Sequence, residues 1–425
     1  MKKGFYCLAM VAVIGVYGVV CAQQEAVEPY NQGLDALAQG RLDEAINLFS
    51  KAIEIDPVDH YAYNNRGVGF KRKGEYDNAI RDYTRALEIK PDYFQAQVNR
   101  GIARYRKGEY DLALTDLESV VGQRRKDAAV FATLGLIYKE KGDYEQAIKN
   151  LKVSLTINKN LITSQKALAE VYEAKKDYEK ALDSYVKLRS ALSKKGDTQD
   201  LDQRIDRLRI SYVQELYNQG LENYRLGNAK NAIAIWNTGL KIDPNNLRIL
   251  RDLGLTYYKL GQYQKALENF NSGIEVDSNN SEIFRVRGDT YYKLKKIEKS
   301  MEDYDKAITL NSSDSICYNN RGLLFHEMGN FERAYEDYTK AISIDSSNPS
   351  FFENRALVYL SKGEIGLARE DYRKALALTV DEKSRESITS KIATLGVENK
   401  DSSQQSGLSP ERILGNSSSE LTPGR

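Results

Sequence analysis

The residue types that carry most enzyme chemistry are scarce in this chain of 425 residues. It holds two histidines, His60 and His326, and three cysteines, Cys7, Cys21 and Cys317. The histidines are far apart and no Cys–His pattern accompanies Cys317, so neither a metal set nor a thiolate nucleophile can be assembled. Helix packing is the ordinary alternative for all three body residues. No GxGxxG, P-loop, HExxH, CxxC or GxSxG occurs, which removes dinucleotide, phosphate-cradle, zinc, redox and serine-hydrolase signatures. The 60 acidic residues are interspersed with 62 basic ones, the pattern of a mixed-charge helix surface. The sequence therefore predicts no enzyme, no metal and no cofactor, and its near-balanced charge excludes a general nucleic-acid binder. Recognition chemistry, by contrast, recurs. Tyr224–Arg225, Tyr258–Lys259 and Tyr292–Lys293 set a ring beside a cation at a constant interval of 34. Asn31, Asn65, Asn99, Asn218, Asn320 and Asn354 sit at one position of the same period. Such amides can hydrogen-bond an extended peptide backbone, and rings beside cations suit acidic and apolar side chains. The bland alternative is that these residues only pack and solvate helices.

The interval of 34 governs most of the chain. Ala45, Ala79, Ala113, Ala147 and Ala181 are evenly spaced by it, and the series resumes at Ala232, Ala266, Ser300, Ala334 and Ala368. Ten repeats follow: five within 26–195 and five within 213–382. Position 8 of each repeat is Gly or Ala, position 15 is Gly except at Lys176 and Lys295, and position 24 is large: Phe49, Tyr83, Leu117, Leu151, Tyr185, Trp236, Phe270, Tyr304, Tyr338 and Tyr372. Small residues at 8 and 20 let two antiparallel helices approach. Glycine at 15 can end the first helix in the left-handed conformation. A ring at 24 is expected to fill space against the next repeat, and Pro57, Pro91 and Pro244 stop second helices. The two repeats lacking the position-15 glycine are expected to show altered packing or lower local stability.

This pattern resembles the tetratricopeptide repeat family. The resemblance implies an all-α, right-handed superhelical solenoid of helix–turn–helix repeats, in two arrays of five. It also implies a concave face lined by positions 2, 5, 6, 9, 12 and 13 of each first helix. Carried onto this sequence, that face offers Tyr224, Arg225, Arg248, Arg251, Tyr258, Lys259, Arg285, Tyr292 and Lys293 in array two, and Asn64, Asn65, Lys71, Arg72 and Asn99 in array one. Clustering of Arg248, Arg251 and Arg285, diluted by Asp252, Glu282 and Asp289, points to array two as the main peptide site. The clamp that some relatives use for a C-terminal carboxylate is not matched: Tyr30, Leu34, Gln95 and Asn99 stand where its cations and other amide would be.

Between the arrays, 196–212 carries Leu201, Ile205, Leu208 and Tyr212 on one helical face, predicting one long helix from about Gln199 to Leu226 with Thr198 as its N-cap. Residues 383–396 read as a polar capping helix, and 397–425, rich in serine, as a disordered tail. Residues 1–22 combine Lys2 and Lys3, an uncharged run and Val20-Cys21-Ala22, the features of a cleaved signal peptide. Lipidation at Cys21 is the second reading. The expected product is an exported, periplasmic or envelope-associated protein without a membrane span after cleavage. It is expected to act as a non-enzymatic scaffold binding protein or peptide partners in a bacterial envelope assembly. The alternative is a periplasmic ligand carrier or docking partner of an envelope transport system. The partner and the oligomeric state are not encoded in any motif.

Overall fold

The structure is a computed structural model that describes residues 25–122, 127–193 and 198–397. The expected leader and the tail beyond Val397 lie outside them. The described residues form 21 helices, and the chain divides into two compact units, the first ending at Leu208 and the second starting at Arg209. Each unit is an all-α solenoid of antiparallel helix pairs, as the repeat pattern predicts.

In the first unit the pairs are α1 (25–38) with α2 (Leu42–Ile55), α3 (His60–Lys73) with α4 (Tyr76–Ile89), and α5 (Phe94–Lys107) with α6 (Tyr110–Gly122). Then come α7 (Ala128–Glu140) with α8 (Tyr144–Ile157) and α9 (Ile162–Ala174) with α10 (Tyr178–Leu192). The unit boundary falls within α11 (Gln199–Arg225), the expected long helix. In the first unit, Ile205 and Leu208 of α11 cover Tyr172, Ala181, Tyr185 and Leu188. In the second, its Val213 and Tyr217 pack on Trp236 of α12 (Ala229–Ile242) and on Ile249 and Leu253 of α13 (Leu247–Lys259). The second unit continues through α14 (Tyr263–Val276), α15 (Ser281–Lys293), α16 (Ile297–Leu310), α17 (Ser315–Glu327) and α18 (Phe331–Ile344). It closes with α19 (Pro349–Ser361), α20 (Ile365–Leu378) and α21 (Glu382–Val397). Ile388 and Leu395 of α21 cover Ala356, Tyr372 and Ala375, so the last apolar face is not left to water.

The packing residues make contacts both inside their own repeat and with the next one. At Gly254 an added Cβ would sit 2.3 Å from Cε1 of Phe270, and at Gly220 it would sit 2.1 Å from Nε1 of Trp236. The ring at position 24 therefore lies over position 8 of the same repeat. It also packs against the next repeat, as expected: Phe270 clusters with Ile283 and Val286, Trp236 with Ile249 and Leu253, and Tyr338 with Val358. Position-20 alanines such as Ala79 and Ala266 are fully buried. Ser300 occupies the same spot, and its hydroxyl donates to the Gly288 carbonyl at 2.8 Å, which satisfies the buried oxygen without opening the crossing. Lys176 and Lys295 adopt the left-handed conformation that glycine takes elsewhere, with φ of 59° and 57°. Those two repeats thus keep the family geometry at the expense of backbone strain, about 1 kcal/mol each.

Candidate functional site

Consecutive first helices are stitched together by a recurring link from position 5 of one repeat to position 6 of the next. Asn65 Nδ2 donates to the Tyr30 hydroxyl (2.9 Å), Asn99 Nδ2 to Asn64 Oδ1 (3.0 Å), the Tyr217 hydroxyl to Asp252 Oδ2 (3.0 Å), and Asn354 Nδ2 to Asn319 Oδ1 (2.7 Å). Four of the six asparagines expected to hold a peptide backbone (Asn65, Asn99, Asn320 and Asn354) donate to side chains of the preceding repeat. Asn64 and Asn99 are 3% and 6% exposed, too buried to reach a ligand. Asn65 is half-exposed, and Asn31 and Asn218 are exposed.

In the first unit these amides form one directed chain. Lys71 Nζ donates to Asn99 Oδ1 (2.9 Å), Asn99 to Asn64, Asn64 to Asn65 Oδ1 (3.2 Å), and Asn65 to Tyr30. An ammonium can only donate, so it fixes the orientation of every amide behind it. Lys71 is pushed down to about 8, first by burial and then by repulsion from Arg72 and Arg106. Among the described residues none of these three cations has a carboxylate partner; Arg72 donates to the Leu37 carbonyl (2.8 Å), and Arg106 lies over the Tyr105 ring.

The second unit carries a similar chain with the opposite polarity at its end. Asn354 donates to Asn319, Asn319 to Asn320 Oδ1 (3.1 Å), and Asn320 to Asp289 Oδ1 (2.8 Å), which also accepts from the Tyr304 hydroxyl (2.6 Å). The expected positive, ring-lined strip is altered at two of its arginines and at its buried rings. Arg251 is ion-paired with Asp252 (2.9 Å) and Glu282 (3.3 Å), and Arg285 with Asp314 (3.1 Å) and, more distantly, Asp289 (3.8 Å). These acids consume the charge the arginines were to offer a ligand. Arg248 alone of the three is exposed. Nor are the rings a ladder on the surface. Tyr258 is 8% exposed and Tyr292 6%, the latter donating its hydroxyl to Glu327. Tyr224 is half-buried against Trp236, with Lys259 of the next repeat 6.0 Å above its ring. The cation–ring contact therefore crosses between repeats rather than joining sequence neighbours. Arg225 is exposed and Lys293 half-buried.

The description "Tetratricopeptide repeat" matches residues 60–93, 128–161, 315–348 and 350–379, and "TPR repeat" matches 33–74, 220–261, 254–295 and 288–329. Together the matches span more than half of the chain. The chain belongs to the tetratricopeptide repeat family. Its repeats make it a protein-binding solenoid in the coarse sense that applies to the family. Among solved structures it is similar to yeast Tom70, at 15% identity over 89% of this chain and 96% of that one, with a TM-score of 0.40. Residues 41 to the end of MamA from Desulfovibrio magneticus RS-1 match at 22%, over 40% and 97%, with a TM-score of 0.38. TTC0263, a thermophilic TPR protein of Thermus thermophilus, matches at 22%, over 44% and 99%, with a TM-score of 0.36. No curated protein matches.

One feature of these tetratricopeptide repeats was legible and missed. Wherever position 7 is arginine, position 23 is aspartate, and the two form a two-pronged pair inside the repeat: Arg66–Asp82, Arg100–Asp116, Arg287–Asp303, Arg321–Asp337 and Arg355–Asp371, each with a contact of 2.7 or 2.8 Å. Repeats without one lack both, as Leu253 and Asn269 illustrate. That covariation within a single chain was the available signal, and it marks five cations as structural. Among the described residues no group of three or more His, Cys, Asp or Glu could hold a metal, and no helix is long and apolar enough to cross a membrane.

Proposed function

We propose that this chain is an exported, non-enzymatic scaffold of a bacterial cell envelope that binds extended peptide segments along the first-helix face of repeats 1 to 3. One observation carries the binding reading. Positions 2, 5, 6, 9, 12 and 13 of those three repeats contain no acidic residue. Among the described residues Lys71, Arg72 and Arg106 stand there without carboxylate partners, and the same set of positions includes Val27, Leu34 and Tyr61, which are 51%, 37% and 47% exposed. Exposed apolar side chains and unneutralised cations on one set of positions are what a solvent-facing helix avoids and a binding face needs. A carrier of small ligands would need an enclosed apolar cavity, and the exposed rings and cations here favour a peptide. Export rests on Lys2, Lys3, the uncharged run and Val20-Cys21-Ala22.

A photo-crosslinking amino acid at Tyr61 should capture a partner polypeptide in the native envelope, whereas the same probe at Arg81, exposed on second helix α4, should not. Equal capture from both positions, or none from either, removes this face as the site. Intact mass of the protein from its host should show Gln23 at the N-terminus. Retained residues 1–22, or acyl chains on Cys21, would remove that form of export.

A further inference from the structure

Several partly buried cations at these first-helix positions are neutralised. Lys139, at position 12 of repeat 4, pairs with Glu170 at 2.8 Å and Glu140 at 3.4 Å, and Arg251 and Arg285 have acids as described. Lys71, at position 12 of repeat 2, does not. It spends one of its three donors on Asn99 Oδ1 and lies 6.0 Å from the Tyr83 ring. A half-buried ammonium is costly without a counter-charge, yet here it is held in place by a chain of four oriented polar side chains ending at Tyr30. Arg72 and Arg106 lie close enough to repel it. Two free donors on a positioned ammonium, with two guanidinium groups beside it, are organised for an anionic group rather than for the folded state.

The other end of α3 has different chemistry. Tyr61 is 47% exposed and sits in a cluster of rings, with centroids 4.0 Å from His60 and 5.4 Å from Tyr93, and Lys90 6.0 Å over its face. Ten residues separate Tyr61 from Lys71 on one helix, roughly 15 Å at 1.5 Å per residue. An extended peptide covers that distance in about five residues at ~3.3 Å each.

We propose that the occupant of this face is an acidic extended peptide whose carboxylate side chain lies on Lys71, Arg72 and Arg106, with an apolar or aromatic side chain about five residues away on Tyr61. The proposal rests on the peptide-binding reading above and specifies its ligand. Three cations are too few, and too local, for a nucleic-acid track, which needs charge along its whole length. The amide chain behind Lys71 makes Asn64 and Asn99 positioning residues, not ligand contacts.

The test uses the full chain and fluorescein-labelled peptides read by anisotropy. The probe carries a Glu-Glu pair and one Phe about five residues away in a Ser/Gly background. One control replaces Glu-Glu by Gln-Gln, and another moves the Phe next to the acids. The probe should bind at least about tenfold tighter than either control, one decade being 1.4 kcal/mol. Lys71→Met should remove most of the preference for Glu over Gln, Tyr61→Ala most of the preference for spacing, and Arg81→Gln neither. Circular dichroism would show that the variants remain helical. If the Gln-Gln control binds as tightly as the probe, the groove still takes peptides but this ligand is wrong. If none of the three peptides binds, the peptide-binding reading falls and this proposal with it.

Discussion

Lys71→Met, followed as a function of pH, tests whether the first unit holds a partly buried cation at the expense of stability. Lowering the Lys71 ammonium from its ordinary 10.5 to about 8 corresponds to roughly 3 kcal/mol of disfavoured charge at neutral pH, at 1.36 kcal/mol per pH unit. The folded value is below the unfolded one, so between about 8 and 10.5 the unfolded chain binds more protons. Stability contributed by this group is full above the unfolded value and lost as pH falls through the folded one. Raising the pH from 7 to 9.5 should therefore stabilise the wild-type first unit by about 2 kcal/mol relative to the same change in Lys71→Met. At pH 7 the variant escapes the buried charge but leaves Asn99 Oδ1 without its donor, a loss of about 1.5–3 kcal/mol, so its net stability there should stay near wild type. Urea unfolding at both pH values, with hydrogen exchange of α3 and α5 to assign the transition, measures the difference. Parallel pH dependences in the two proteins would mean that Lys71 is solvated like any surface lysine, and the argument for a strained, ligand-ready cation fails.

Four further outcomes follow from the packing. Gly254→Val should destabilise the second unit by at least about 2 kcal/mol, because its Cβ would meet the Phe270 ring at 2.3 Å; hydrogen exchange should show lost protection in α13 and α14 first. Lys176→Gly should raise the stability of the first unit by about 1 kcal/mol in denaturant titration, since φ of 59° strains any residue but glycine. Arg287→Met should lower second-unit stability by about 3 kcal/mol at pH 7 by orphaning the buried Asp303 carboxylate. Burial already raises Asp303, so the deficit should shrink as pH falls through its folded value and the carboxyl protonates, which melting at pH 5 and 7 would show. Reversing Arg285 to Glu should unfold α15 and α17 locally rather than merely weaken binding, because the new carboxylate faces Asp289 and Asp314; proteolysis rates would report it.

The sequence by itself determined the repeat architecture, because the requirements are local and recur every 34 residues. A small residue at 8, a left-handed turn at 15, a small residue at 20 and a large apolar or aromatic residue at 24 each have one physical solution, and ten copies remove ambiguity. Even the long helix α11 followed from the spacing of Leu201, Ile205, Leu208 and Tyr212. The structural role of the five Arg–Asp pairs was equally present, as the joint occurrence of positions 7 and 23. Only the tertiary structure decided which groove residues are free to meet a ligand. Arg285 and Lys71 are both cations on first helices; the sequence places Glu282 and Asp289 near Arg285, but not the closer partner that settles the matter. Arg285 is neutralised by Asp314, from the cap of α17. Lys71 reaches an amide, Asn99, on α5. A charge is available or spent according to what the neighbouring repeat brings within about 4 Å, and that distance is set by helix packing across repeats, which the period announces but does not measure.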